Sequence, residues 1–225
     1  MTTSRLLRYV PLLLLASLAI GIFGAARAPA AMTLPDPKLD STLAAAPGQQ
    51  VIVLAGGCFW GVQAVYLHLK GVTRAVAGYS GGTAETANYE AVSSHGTGHA
   101  ESVQITFDPS KITVGQILKV YFSVAHDPTE LDRQGPDTGP QYRSSIFFST
   151  PEQEHIAKAY IAQLDAAKVY PSPIVTVVVP LKGFYPAEGY HQNYLAHHMD
   201  QPYIVINDLP KVANLKSQFP TWYKD

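Results

Sequence analysis

One cysteine stands in the whole chain, Cys58. A lone thiol excludes a disulfide within the chain, so redox chemistry at Cys58 needs an outside thiol to complete its cycle. Charge of one sign is equally scarce. Sixteen Lys and Arg oppose 17 Asp and Glu, for a net charge of −1, which leaves no electrostatic footprint for nucleic acid. There is no P-loop, no dinucleotide fingerprint and no Gly-x-Ser-x-Gly elbow. Eight histidines are present, but His95, His99 and Glu101 form the tightest set and His197-His198 another. Neither has partner Cys or His pairs at zinc spacing. No metal is expected.

What is abundant is apolar and aromatic material, including 13 tyrosines, within 225 residues. That is ample for the core of one large domain. Arg5 and Arg8 precede an apolar run from Val10 to Phe23, followed by small residues from Gly24 to Ala31. A basic region, an apolar stretch and an Ala-x-Ala site, at Ala26-Arg27-Ala28 or Ala28-Pro29-Ala30, read as a signal peptide over residues 1–28, cleaved near Ala28 to Ala31. The run is short for a membrane span. Export to a bacterial periplasm is the expectation, with a retained anchor facing the periplasm as the alternative. Residues 29–49, rich in Pro, Ala and small polar residues, read as a linker.

Val51-Ile52-Val53-Leu54 reads as a buried strand that Gly56-Gly57 break. Phe59, Val62, Val65, Tyr66 and Leu69 then recur at helical spacing. Cys58 therefore sits at a strand-to-helix turn, where free N–H groups and the helix dipole favour a thiolate; a buried cysteine packed as a small hydrophobe is the plainer alternative. Further strands are expected over 72–79, 101–107, 144–148 and 174–179. Helices are expected from Thr113-x-x-Gln116, a capping box, to Val124, and from Thr150-Pro151-Glu152-Gln153 to Lys168. Two long loops, 80–98 and 126–142, are dense in Gly, Ser, Asp and Pro. The order β-α-β-β-α-β predicts an α+β fold with a ferredoxin-like split βαβ core: an antiparallel sheet with helices packed on it. A helix and a strand are appended, residues 185–198 are partly helical, and a long irregular tail follows from Met199. The folded domain is expected over 50–210, with 211–225 as a terminal tail.

The loops carry the remaining chemistry. Glu101 opens an otherwise apolar strand, and a carboxyl in an apolar pocket stays protonated and can donate a proton; a solvated glutamate at a strand end is the plainer alternative. Tyr and Asp on a glycine-stiffened loop, Asp137 and Tyr142 among them, can orient a polar ligand. An Asx-turn loop with a packed tyrosine is the plainer alternative. Phe59 and Trp60 offer an apolar wall beside the sulfur.

Gly57-Cys58-Phe59-Trp60-Gly61, Gly98-His99-Ala100-Glu101, the run from Arg133-Gln134-Gly135-Pro136-Asp137 to Gln141-Tyr142-Arg143-Ser144, and Tyr190-His191-Gln192-Asn193-Tyr194-Leu195 together resemble peptide methionine sulfoxide reductase A. The resemblance spans about Val51 to Lys211, with four motifs in order. It implies reduction of methionine S-sulfoxide, free or in peptides and proteins, to methionine, with no metal or organic cofactor. It implies Cys58 as nucleophile, ending as a sulfenic acid, and Glu101 as the acid. Tyr89 and Tyr142 then hold the sulfoxide oxygen, Phe59 and Trp60 form the methyl pocket, and Asp137 is a polar substrate contact.

Two departures matter. Many members carry resolving cysteines near the C-terminus, whereas Gln201-Pro202-Tyr203-Ile204-Val205-Ile206-Asn207 has none. Ser93-Ser94-His95 stand where Cys-Ser-Gly is frequent. The sulfenic acid must then meet an external thiol: a thioredoxin-like or glutaredoxin-like protein, or a small thiol. A monomer is expected. Two other functions fit the residues less fully. A Cys–His hydrolase needs His99 or His191 hydrogen-bonded to Cys58, and a non-catalytic module would bind oxidised methionine through the aromatic wall.

Overall fold

The computed structural model describes residues 34–225; the expected leader and its cleavage site lie outside them. Six strands form the main sheet: β1 (Gln50–Ala55), β2 (Val72–Ser80), β3 (Ala100–Phe107), β4 (Ser145–Phe148), β5 (Val177–Pro180) and β6 (Phe184–Pro186). Their order is β5-β4-β1-β3-β2-β6. Every pairing is antiparallel except β4 with β5. The inner four strands, β4-β1-β3-β2, realise the split βαβ arrangement, with β5 and β6 added at its two edges.

Side chains alternate across the sheet as strand geometry requires. Ile52 and Leu54 of β1, with Val103 and Ile105 of β3, enter the main core. Val53 and Ala55 face the other way, into a small cluster with Ala100 and Phe147 that Leu181 and Phe184 cover. The main core is closed by α1 (Phe59–Leu67), α3 (Val114–Val120) and α4 (Pro151–Ala166), which contribute Val62 and Val65, Ile117 and Leu118, and Ile156 and Leu164. The α3 capping box forms as expected. Thr113 Oγ1 accepts from Gln116 N–H at 3.1 Å, and Gln116 Oε1 accepts from Thr113 N–H at 3.0 Å. On α4, Thr150 Oγ1 accepts from Gln153 N–H. The split core, its antiparallel pairing and the appended strand thus match the expected α+β class. α3 ends at Val120 and continues to Ala125 as a wider π turn.

Four expectations need correction. Residues 34–49 are not a free linker. Leu34 is buried in the core, Asp36 pairs with Lys119 at 2.7 Å, and the Asp40 carboxylate accepts from Thr113 Oγ1 and from Gly115 N–H at the start of α3. A carboxylate there meets unpaired N–H groups and the positive end of the helix. The loop 80–98 holds a short helix, α2 (Tyr89–Ser93), because Asn88 Oδ1 accepts from Ala91 N–H and caps it. The fifth strand starts at Val177, not Ile174, since the N–H groups of Ile174 and Val175 bond Asp165 and Pro128 instead of the sheet.

The tail from Met199 is largely helical. After α5 (Tyr194–His197), a π-helical turn, Ile204–Asp208, leads into α6 (Leu209–Gln218). Leu215 and Phe219 enter the main core, and the last residues bond the end of α1: Lys70 N–H to Trp222 O and Lys224 N–H to His68 O. Residues 211–225 therefore pack on the domain. Pro210 lies in the first turn of α6, where a missing N–H breaks no bond.

Candidate active site

The chain turns from β1 into α1 through Gly56-Gly57-Cys58. Gly57 has φ +83°, and a Cβ on it would sit 2.5 Å from Gln134 Cγ; a Cβ on Gly56 would sit 2.8 Å from His126 Cγ. The two glycines thus let the second loop close onto the turn. Gly57 N–H donates to Tyr142 O at 3.2 Å, which pins that loop where the helix begins. Below the turn, Tyr121 Oη donates to Ala55 O at 2.6 Å and lies 2.9 Å from Ser144 Oγ, which also bonds His126 Nε2 at 2.7 Å and Thr176 Oγ1 at 2.6 Å. Burial holds His126 neutral, with a pKa down at about 3.

Cys58 is the N-cap residue of α1 and is 7% exposed. The structure modifies the expectation of an unaided thiolate. Burial pushes the thiol well above its ordinary pKa, and the carboxyls of Glu101 and Asp208 push it further. The Trp60 N–H and the Lys211 ammonium pull it back. Glu101, at the start of β3, is 4% exposed, and its Oε2 accepts from Phe59 N–H at 3.0 Å. That bond sets the carboxyl against the first helical residue, next to Cys58. Burial raises the Glu101 pKa to about 8, against the lowering pull of the Phe59 N–H; Asp137 and Asp208 add to the rise. At neutral pH this carboxyl holds a proton.

The other expected residues converge here too, at different depths. Tyr142 ends the turn after Gly139; burial lifts its pKa first, and the Glu101 and Asp137 carboxyls lift it further. Asp137 accepts a hydrogen bond from Tyr203 Oη. Tyr89 is 38% exposed, its ring 4.6 Å from that of His191. Trp60 is half-buried and stacked on Tyr194 at 3.7 Å, and its Nε1–H donates to His191 Nδ1 at 3.1 Å. Phe59 lies deeper, 1% exposed, against Tyr79 and His191. A cleft of about 200 Å³ opens beside them, lined by Cys58, Gln134, Asp137, Tyr203, Asn207 and Lys211 among others.

Among the described residues neither His99 nor His191 hydrogen-bonds Cys58. His99 accepts from Gly82 N–H and donates to Thr83 O, His95 bonds Gln141, and His191 accepts from Trp60. The residues that sequence reasoning missed, Tyr203, Asp208 and Lys211, all come from the C-terminal segment. The helical spacing of Leu209, Val212 and Leu215 was the signal there.

A family model described as peptide methionine sulfoxide reductase matches residues 50–222. Peptide methionine sulfoxide reductase MsrA 2 of Mesorhizobium japonicum is 60% identical over 181 residues, covering 80% of this chain and 93% of that one. The MsrA 2 of a Synechocystis strain is 45% identical over 204 residues, 90% of this chain and 95% of its own. Among solved structures, Mxr1 from Saccharomyces cerevisiae in reduced form is 31% identical with a TM-score of 0.61, over 73% of this chain and 92% of that one. Methionine sulfoxide reductase A of Corynebacterium diphtheriae is 31% identical with a TM-score of 0.58, over 75% and 87%. The matched region runs from the first residue of β1 through the Cys58 turn, both loops and α6, and with it the chain belongs to the peptide methionine sulfoxide reductase family.

Proposed function

We propose that Cys58 and Glu101 share the chemistry of this family as nucleophile and acid, and that an external thiol returns Cys58 to its starting state. The chain is an oxidoreductase that reduces methionine sulfoxide with cysteine catalysis. Sulfoxide oxygen leaves poorly unless protonated. Glu101 gives it a proton while the Cys58 sulfur attacks the sulfoxide sulfur, and the oxygen passes to Cys58. In balance, thiol and sulfoxide become sulfenic acid and thioether: Cys58 is oxidised by two electrons and the substrate sulfur reduced by two. Tyr89 and Tyr142 hold the oxygen, Phe59 and Trp60 form the methyl pocket, and Asp137, which accepts a hydrogen bond from Tyr203, is a polar residue near the substrate. The S epimer is the substrate.

The observation that carries this reading is the Phe59 N–H bond, which holds a buried carboxyl beside a buried thiol. Two external thiols then reduce the sulfenic acid to thiol and water, forming one disulfide between them. The donor is a thioredoxin-like or glutaredoxin-like protein, or a small thiol. The basic, apolar and small-residue run over 1–28 supports export to a periplasm, with repair of exported proteins as the task. The test is turnover of an S-sulfoxide peptide with dithiothreitol. Cys58→Ser is expected to show none. The R epimer is expected to remain unreduced. A Cys58→Ser protein that still turned over would end this assignment.

A further inference from the structure

Three positions after Cys58, on the same side of the first turn of α1, stands Gly61. A Cβ there would lie 2.1 Å from Asp208 Oδ1 and 2.9 Å from Lys211 Nζ. Glycine at 61 thus makes room for a side-chain pair from the C-terminal segment. Lys211 Nζ donates to Asp208 Oδ1 at 3.1 Å. Asp208 is fully buried, and among the described residues its Oδ2 has no hydrogen-bond partner. The Lys211 side chain is 16% exposed and reaches the cleft that Cys58 also lines, where it is the one cation among the lining residues.

We propose that Lys211, held in place by Asp208, is a positioning residue that keeps a positive charge over Cys58, both when its sulfur attacks the sulfoxide and when it leaves the external donor.

The second role follows from the lone cysteine, and it rests on Cys58 being the nucleophile. The first donor thiol displaces water from the sulfenic acid and forms a mixed disulfide with Cys58. A second donor thiolate then attacks the donor sulfur, the S–S bond breaks, and Cys58 departs with the electron pair. Thiols that are more stable as thiolates leave faster. Every turnover of this chain ends with Cys58 as leaving group from an intermolecular disulfide, so a cation fixed over it serves both halves of the cycle. The buried setting strengthens the effect, because charges interact more strongly away from water. The titratable and charged groups that face Cys58 are Glu101 from β3, Asp137 and Tyr142 from the second loop, Tyr203 and Asp208 from the C-terminal segment, and Lys211 from α6.

The test is the pH dependence of Cys58 alkylation by iodoacetamide in the full chain, which needs no sulfoxide and so stands or falls apart from the reductase assignment. With Lys211→Met, the midpoint is expected to rise by about one pH unit, or about tenfold slower alkylation below it. Lys211→Arg restores the original midpoint. Asp208→Asn removes a facing carboxylate but keeps an acceptor for Lys211, and moves the midpoint down. Loss of structure alone would not produce shifts of opposite sign or rescue by arginine. A Lys211→Met midpoint equal to the unmodified protein's overturns the proposal. Should that variant not fold, Lys211→Gln, which still donates to Asp208, is read by the same criterion.

Discussion

At pH 7 a carboxyl with a pKa raised to about 8 is mostly protonated, and this fixes what Glu101 can contribute. It is an acid, so turnover limited by chemistry is expected to fall as pH climbs through about 8. Glu101→Gln keeps the shape and loses the proton. It is expected to lower kcat by about 10²–10⁴ and to erase that alkaline limb, checked by kcat across pH 6–9.5. The same group affects folding. Its folded pKa lies above the ordinary 4.5, so the native state binds the extra proton. The stability it contributes is complete below about 4.5 and is lost as pH rises through about 8. The thermal stability of the unmodified protein is therefore expected to fall over that window relative to Glu101→Gln, and parallel curves for the two would contradict the buried-acid assignment.

Elements hold these residues in register. The β1-to-α1 turn depends on Gly57 at positive φ with Gln134 packed against it. Gly57→Ala puts a Cβ where no L residue sits easily and displaces Gln134. It is expected to cost about 1–2 kcal/mol from the backbone alone, measured by denaturant unfolding, and to lower activity as the loop moves off the turn. Tyr121→Phe removes the hydroxyl that bonds Ala55 O at the end of β1. A lost buried bond of this kind costs about 1–3 kcal/mol, and a variant as stable as its parent would show that the network under the turn is not holding it. These elements differ in how readable they are. β1 and β3 announce themselves by aliphatic runs and alternation, and α3 and α4 by their capping residues. α2 is invisible, because five residues among Gly, Ser and Thr give no periodicity and only the Asn88 cap marks it. The segment after Met199 is obscured by Pro202, Asn207 and Pro210. Pro210 looks like a breaker, yet it falls in the first turn of α6, where it is tolerated.

Across the whole molecule, the β-α-β-β-α-β order predicted the central four strands, and the structure pairs them accordingly. Where the added strands attach could not be read, since pairing of distant segments is decided by tertiary contact. The candidate site was legible in the residues near its motifs: Cys58 at a helix start, Glu101 opening an apolar strand, and the Gly-rich loop with Asp137 and Tyr142. Its far wall was not. Tyr203, Asp208 and Lys211 reach Cys58 only because α6 folds back over α1 with Leu215 and Phe219 in the core. Leu34 and Asp40 likewise join the domain through distant partners in the core and at α3.

The central claim is that one cysteine does the reduction and an outside thiol does the recycling, and a single turnover tests it most directly. The full chain, reduced and then freed of thiols, is mixed with excess S-sulfoxide peptide. Methionine is counted per protein, and the protein mass is read with a sulfenic-acid trap present. The account predicts about one methionine per chain, the trap on Cys58, and continued turnover only when thiol is added. No methionine with Cys58 unmodified, or repeated turnover without any thiol, would contradict it.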